Sequence, residues 1–118
     1  MDIAGLVIPG AYVVRPRVLP DERGEFAELY RFDLLAQYIG HPLQVAQVNT
    51  SRSRRGVVRG IHYADVPPGQ AKYVSCAHGS VLDVVIDIRA GSPNFGHWDA
   101  TILDAFNRTA LYLSLIHI

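Results

Sequence analysis

Cysteine is almost absent: Cys76 is the single thiol in 118 residues. That excludes an internal disulfide framework and any CxxC zinc or redox site, and it fits a reducing, cytoplasmic setting. Net charge is lacking too, because eleven basic side chains balance eleven acidic ones. Without a broad cationic footprint, neither a nucleic-acid polymer nor a membrane is an expected partner. A small anionic ligand stays open, since two or three arginines suffice to hold one. No apolar run approaches the roughly 18 residues of a membrane span. The start, Met1-Asp2-Ile3, lacks a basic-then-apolar leader pattern. GxGxxG, GxxxxGK[ST] and GxSxG are all missing, and with them the usual loops for nicotinamide and ATP and the serine nucleophile elbow. His41, His62, His78, His97 and His117 form no HxH or HxxxH pair. Neither a resident metal nor another cofactor is therefore expected.

What is present is globular: 49% of residues are hydrophobic and 19% charged, with enough length for one domain spanning 1–118. Helical periodicity is confined to Arg31–Ile39, where Phe32, Leu35 and Ile39 share a face and Gly40 with Pro42 stops the helix. Elsewhere the pattern predicts strands over Gly10–Leu19, Gly24–Tyr30, Leu43–Thr50, Val57–Tyr63, Lys72–Ala77, Ser80–Arg89, Trp98–Leu103 and Thr109–Leu113. Between them, Pro20–Gly24, Ser51–Gly56 and Asp65–Gln70 read as turns or rigid loops. Ala77-His78-Gly79-Ser80 reads as a tight hairpin with Gly79 at positive φ. Many short strands at regular spacing predict an all-β, antiparallel sandwich or jelly roll with one short helix. The apolar ending Leu113–Ile118 reads as an unguarded strand edge, as in the amino-terminal part of a longer domain.

The densest chemistry lies in Arg59-Gly60-Ile61-His62-Tyr63 and Gln70-Ala71-Lys72-Tyr73. A histidine can take a carbon-bound proton when the carbanion is stabilised. A lysine ammonium beside a carbonyl oxygen stabilises the enolate, and an arginine can hold a phosphate bidentately. The set suits proton abstraction next to a carbonyl in a phosphorylated substrate. Each residue also has a plain structural reading. A strand histidine commonly packs, Lys72 can protect an edge, and Arg59 can pair with Asp65 or Asp83 at the surface. Arg59 and His62 are three apart and would face opposite ways unless the chain bends at Gly60. Gln47 and Asn49 share a face. So do Val81, Asp83, Val85, Asp87 and Arg89, which send two carboxylates towards a pocket or solvent, opposite Leu82, Val84, Ile86 and Ile88. Asp83 is a candidate to orient Lys72, and Cys76 reads as a small packed hydrophobe.

Several blocks taken together resemble a known family. They are Arg23-Gly24-Glu25-Phe26 with Glu28, Gln47-Val48-Asn49-Thr50-Ser51, Gly56–Tyr63, Gln70–Val74, Gly79–Arg89 and Gly91-Ser92-Pro93-Asn94-Phe95-Gly96. In this order, over about Pro9 to Tyr112, they resemble the dTDP-4-dehydrorhamnose 3,5-epimerases. The resemblance implies a cupin-like double-stranded β-helix (jelly roll), incomplete at its carboxyl end. It also implies a cofactor-independent homodimer in the complete protein, acting on a dTDP-4-keto-6-deoxy sugar. It makes His62 the base at C3 and C5 and Lys72 the partner of the C4 oxygen. Arg59 would bind the diphosphate with Arg23, which a neighbouring subunit can supply. Glu28, Gln47 and Asn49 would contact the nucleotide, and Phe26 would pack on the thymine. The family's tyrosine acid and the aspartate that pairs with the base have no counterpart here, and His117 lies outside the family's histidine motif. Activity is therefore expected to be impaired. A mono-epimerase and a non-catalytic sugar-nucleotide binding remnant are the alternatives, with a metal-dependent cupin further off.

Overall fold

The computed structural model describes residues 1–114. Eight strands and one helix follow in the order β1 (Asp2–Gly5), β2 (Ala11–Arg15), β3 (Val18–Asp21), β4 (Gly24–Ala27), α1 (Phe32–Ile39), β5 (Lys72–Ser75), β6 (Ser80–Ile86), β7 (Trp98–Asp104) and β8 (Ala110–Leu113). The chain is mostly antiparallel strand with one short helix, the class its turn-punctuated pattern predicts. The main sheet runs β1-β2-β8-β5, while β3–β4 and β6–β7 form two-stranded ribbons.

Period two gives the main sheet two apolar faces. Ala11, Val13, Leu111 and Leu113 point one way and meet Val85 and Leu103 of the β6–β7 ribbon, with Ile8 of the β1–β2 loop between them. Val14, Ala110 and Tyr112 point the other way, with Ile3, and meet Leu35 of α1. The layers are thus helix, sheet, ribbon. The helix starts after Arg31 and ends at Gly40, whose φ of 81° lets its N–H reach back to the Ala36 carbonyl.

Several expectations need correction. The strand read over Gly10–Leu19 is two strands, broken where Pro16 interrupts the ladder; β1 lies outside the predicted set. Leu43–Thr50 and Val57–Tyr63 are not strands. Their composition suits a sheet, but no neighbouring strand among the described residues completes their hydrogen bonds, and Val45, Val48, Val58 and Ile61 stay exposed. Gly79 takes the expected positive φ of 80°, but the turn is a corner between layers and not a hairpin. Its flanking strands β5 and β6 pair with β8 and β7. Strand β8, Ala110–Leu113, which leads into the apolar ending, is paired on both sides and buried throughout. The rest of that apolar ending, with His117, lies outside the described residues.

Candidate functional site

Ladder register decides where β5 and β6 send their polar side chains. Lys72 pairs with Leu113 and Val74 with Leu111, so Lys72 shares the sheet face that looks towards the ribbon. Asp83 pairs with Thr101, and Val81 with Leu103, so Asp83 shares the ribbon face that looks back at the sheet. The two residues lie on the inward faces of adjoining layers. No hydrogen bond or ion pair joins them among the described residues, and burial pushes the Asp83 carboxyl up. Each is a partly buried polar side chain on an inward face, where a charge carries a desolvation cost.

Asp87 corrects the expectation for its strand. It faces neither pocket nor solvent but is fully buried. Its Oδ1 accepts from Arg89 N–H at 3.0 Å and Arg89 Nε at 2.9 Å, and its Oδ2 accepts from Arg89 Nη2 and Ser92 Oγ at 2.7 Å each. The Arg89 guanidinium holds this carboxyl well below the usual range against the cost of burial. Gly96 N–H donates to the Asp87 carbonyl, and Asp87 N–H to the His97 carbonyl. The long β6–β7 connection is therefore built around this one side chain.

The remaining candidates sit on exposed pieces. At the β3–β4 turn, Asp21 accepts from Arg23 N–H at 2.8 Å and from Arg23 Nη2 at 2.7 Å. Phe26, opposite Leu19, is exposed. Glu28 accepts from Arg31 Nη1 at 2.9 Å, while Asp33 accepts from the other side of the same guanidinium. Gln47 Nε2 donates to Asn49 Oδ1 at 3.0 Å, so this pair does share a face. Gly60 bends the chain between Arg59 and His62 with φ 125°. His62 is exposed, and Arg59 Nε donates to Ser53 Oγ at 2.9 Å. Ser53, with Arg52 and Arg54, lines an open depression of about 340 Å³. Three arginines beside a hydroxyl present the donors that a phosphate or diphosphate takes, although sequence reading treats Arg52 and Arg54 only as a polar turn.

Tyrosine hydroxyls join these pieces, which sequence reading misses. Tyr73, next to Lys72 but on the helix side of the sheet, donates to the Leu29 carbonyl beside Glu28. Tyr30 donates to the Leu43 carbonyl at 2.7 Å, and Tyr12 to the Tyr38 carbonyl at 3.3 Å. Tyr30 and Tyr73 meet edge-on with ring centres 5.2 Å apart. Burial, and then the neighbouring Tyr30, push the Tyr73 phenol up to about 12. Arg108 fixes the β3–β4 ribbon through Glu25 at 2.6 Å. Only the alternation that puts Tyr12, Tyr73 and Tyr112 opposite the aliphatic face hints at this lacing.

Among the described residues, no group of three or more His, Cys, Asp and Glu side chains gathers at metal-binding distance, and no helix is long and apolar enough to cross a membrane.

Residues 5–116 match the family model described as dTDP-4-dehydrorhamnose 3,5-epimerase. A dTDP-4-dehydrorhamnose 3-epimerase of Streptomyces niveus is 53% identical over 114 residues, covering 97% of this chain and 55% of that protein. The 3,5-epimerase of Mycobacterium tuberculosis is 50% identical over 109 residues, covering 92% and 54%. The crystal structure of a 4-keto-6-deoxy sugar epimerase from the novobiocin cluster of Streptomyces spheroides superposes with a TM-score of 0.95 at 52% identity, covering 98% of this chain and 58% of that one. The chain thus spans about half the length of the relatives it matches.

Proposed function

The chain belongs to the dTDP-4-dehydrorhamnose 3,5-epimerase family, and from that membership we propose that the whole protein epimerises a dTDP-4-keto-6-deoxy sugar without a cofactor, as a homodimer. The observation that carries this reading is Lys72 on the inward face of β5, with Asp83 on the inward face of β6. The C4 carbonyl acidifies the C–H bonds at C3 and C5. His62 takes one of these protons as a general base, and the electron pair moves into the ring to form an enolate on the C4 oxygen. Lys72 stabilises that oxygen as its charge grows. Reprotonation from the opposite face by an acid inverts the carbon and restores the ketone. Arg59 and Arg23 hold the diphosphate. Glu28, Gln47 and Asn49 bind the nucleotide, Phe26 covers the thymine, and Asp83 orients Lys72.

A second reading is epimerisation at C3 alone. It is favoured by the 3-epimerase name of the 53% identical relative and by the solved 3'-monoepimerase of Streptomyces bikiniensis, which is 49% identical. Deuterium incorporation from D₂O into dTDP-4-keto-6-deoxyglucose tests both. Exchange at C3 and C5 that disappears in His62→Ala supports the first reading, and exchange at C3 alone supports the second. Exchange that persists in His62→Ala refutes the role given to His62. Tight dTDP binding without exchange by a folded chain leaves this chain a binding module.

A further inference from the structure

Strands β3 and β4 pair only with each other, and a lone two-stranded ribbon has little stability of its own. Among the described residues, the hydrogen bonds that join this ribbon to another element come from Arg108 alone. Its guanidinium donates to Glu25 Oε1 through Nε at 3.1 Å and Nη2 at 2.6 Å, across 83 positions of sequence. Glu25 and Phe26 are consecutive and point to opposite faces of the ribbon. Holding Glu25 therefore turns Phe26 outward, where it is exposed, and sets the reach of Arg23 at the turn.

Arg108 is itself held in an unusual way. At φ 52° it is the one residue other than glycine at positive φ among the described residues, a conformation that side chains disfavour. The β7–β8 turn over-determines it. Asp104 Oδ1 accepts from the Phe106 and Asn107 N–H groups at 2.8 and 2.6 Å. Asn107 Oδ1 accepts from the Asp104 and Thr109 N–H groups at 3.2 and 2.9 Å, and Asn107 Nδ2 donates to the Ile102 carbonyl at 3.1 Å. Arg108 N–H donates to the Asp104 carbonyl. A disfavoured conformation fixed by such a network points to a task for the residue that adopts it.

We propose that Arg108, acting through Glu25, is a positioning residue for nucleotide binding. It holds the β3–β4 ribbon so that Arg23 meets the diphosphate and Phe26 the thymine. The proposal rests on the roles given above to Arg23 and Phe26, and it adds a residue that itself touches no ligand. A ribbon freed from Arg108 spends part of its time in other orientations, and apparent affinity falls with the fraction that stays competent. An ion pair exposed by about a third on each side sets that loss at about fivefold.

Titration calorimetry with dTDP, alongside hydrogen exchange over residues 18–27 of the 118-residue chain, tests this. Arg108→Gln and Glu25→Gln should each weaken dTDP binding about fivefold, and the double substitution no further than either alone. The sign for Glu25→Gln is decisive. Removing an acidic charge tightens an anion through the overall field, whereas losing the clamp weakens it. Amides of residues 18–27 should exchange faster in each variant, with the rest of the chain unchanged. Faster exchange there with unchanged dTDP affinity overturns the positioning role and leaves a structural ion pair. Tighter binding by Glu25→Gln, or unchanged exchange over residues 18–27, overturns the clamp itself. An unsubstituted chain that binds no dTDP is instead the failure of the roles given to Arg23 and Phe26, and overturns the proposal for that separate reason. Should Arg108→Gln unfold, Glu25→Gln decides alone, because it leaves the β7–β8 turn intact.

Discussion

Replacing Asp87 by asparagine should destabilise the chain by about 3 kcal/mol at neutral pH. Breaking a buried ion pair by removing one charge typically costs about 3–5 kcal/mol. The low end applies because Arg89 keeps 23% of its side chain exposed and can recover some hydration. Asparagine preserves the shape, but its NH₂ replaces an acceptor that now serves both Arg89 Nη2 and Ser92 Oγ. With a urea slope of about 1.5 kcal/mol/M, the unfolding midpoint should fall by about 2 M. Trp98, opposite Ile86 where β6 runs into the connection, provides the fluorescence signal. The pH dependence follows from the depressed carboxyl. Its stabilising contribution is complete above the unfolded value of about 4 and is lost as pH falls towards the folded value. The gap between the two proteins should therefore be widest at neutral pH and shrink below about pH 4. Equal midpoints at neutral pH, or a gap that stays constant into acid, would refute the view that the ionised Asp87 organises the 87–97 connection.

Three further substitutions probe the other layers. Leu35→Ala leaves a cavity between α1 and the sheet, where Leu35 is 1% exposed; it should cost about 3 kcal/mol in urea unfolding. Gly40→Ala puts a Cβ on a residue at φ 81° and should cost about 1 kcal/mol, seen as a lower thermal midpoint. Tyr73→Phe frees the Leu29 carbonyl and should cost about 1 kcal/mol, with faster amide exchange at the start of α1. Alkaline absorbance titration of the native chain should contain a phenol ionising near about 12 that this variant lacks.

The helix was legible because its face, its glycine stop and its length are all local, and α1 falls within one residue of the expected span. Strands β5 to β8 were legible for the same reason. The segments over 43–50 and 57–63 show the limit of that reading. Val45, Val48, Val57 and Ile61 suit a sheet, but a strand exists only beside a partner, and composition does not supply one. In β6 both alternating sets contain apolar residues, so period two alone does not say which faces inward. The inward set proved to be the one with Asp83 and Asp87, because Arg89 and Ser92 satisfy the buried Asp87 carboxylate. As candidates, His62, Lys72 and Arg59 could be singled out from their chemistry, but only Lys72 lies on an element of the main sheet. The tyrosine hydroxyls that tie Leu29, Tyr38 and Leu43 to the sheet act across long stretches of sequence and leave no local mark.

The place of β8 governs how the chain can fold. It is the last strand in sequence among the described residues, yet it lies between β2 and β5 and pairs Leu111 with Val13 and with Val74. Neither β2 nor β5 has another partner on that side, so the main sheet stays in two halves until residues 110–113 arrive. Closing so long a loop carries an entropic cost that must be met before the contacts return any stability, which makes such topologies slow to fold. During synthesis the early strands therefore wait with unpaired edges until residues 110–113 have left the ribosome. For that interval β2 is an open template, and chaperone capture or association between nascent chains competes with the arrival of β8.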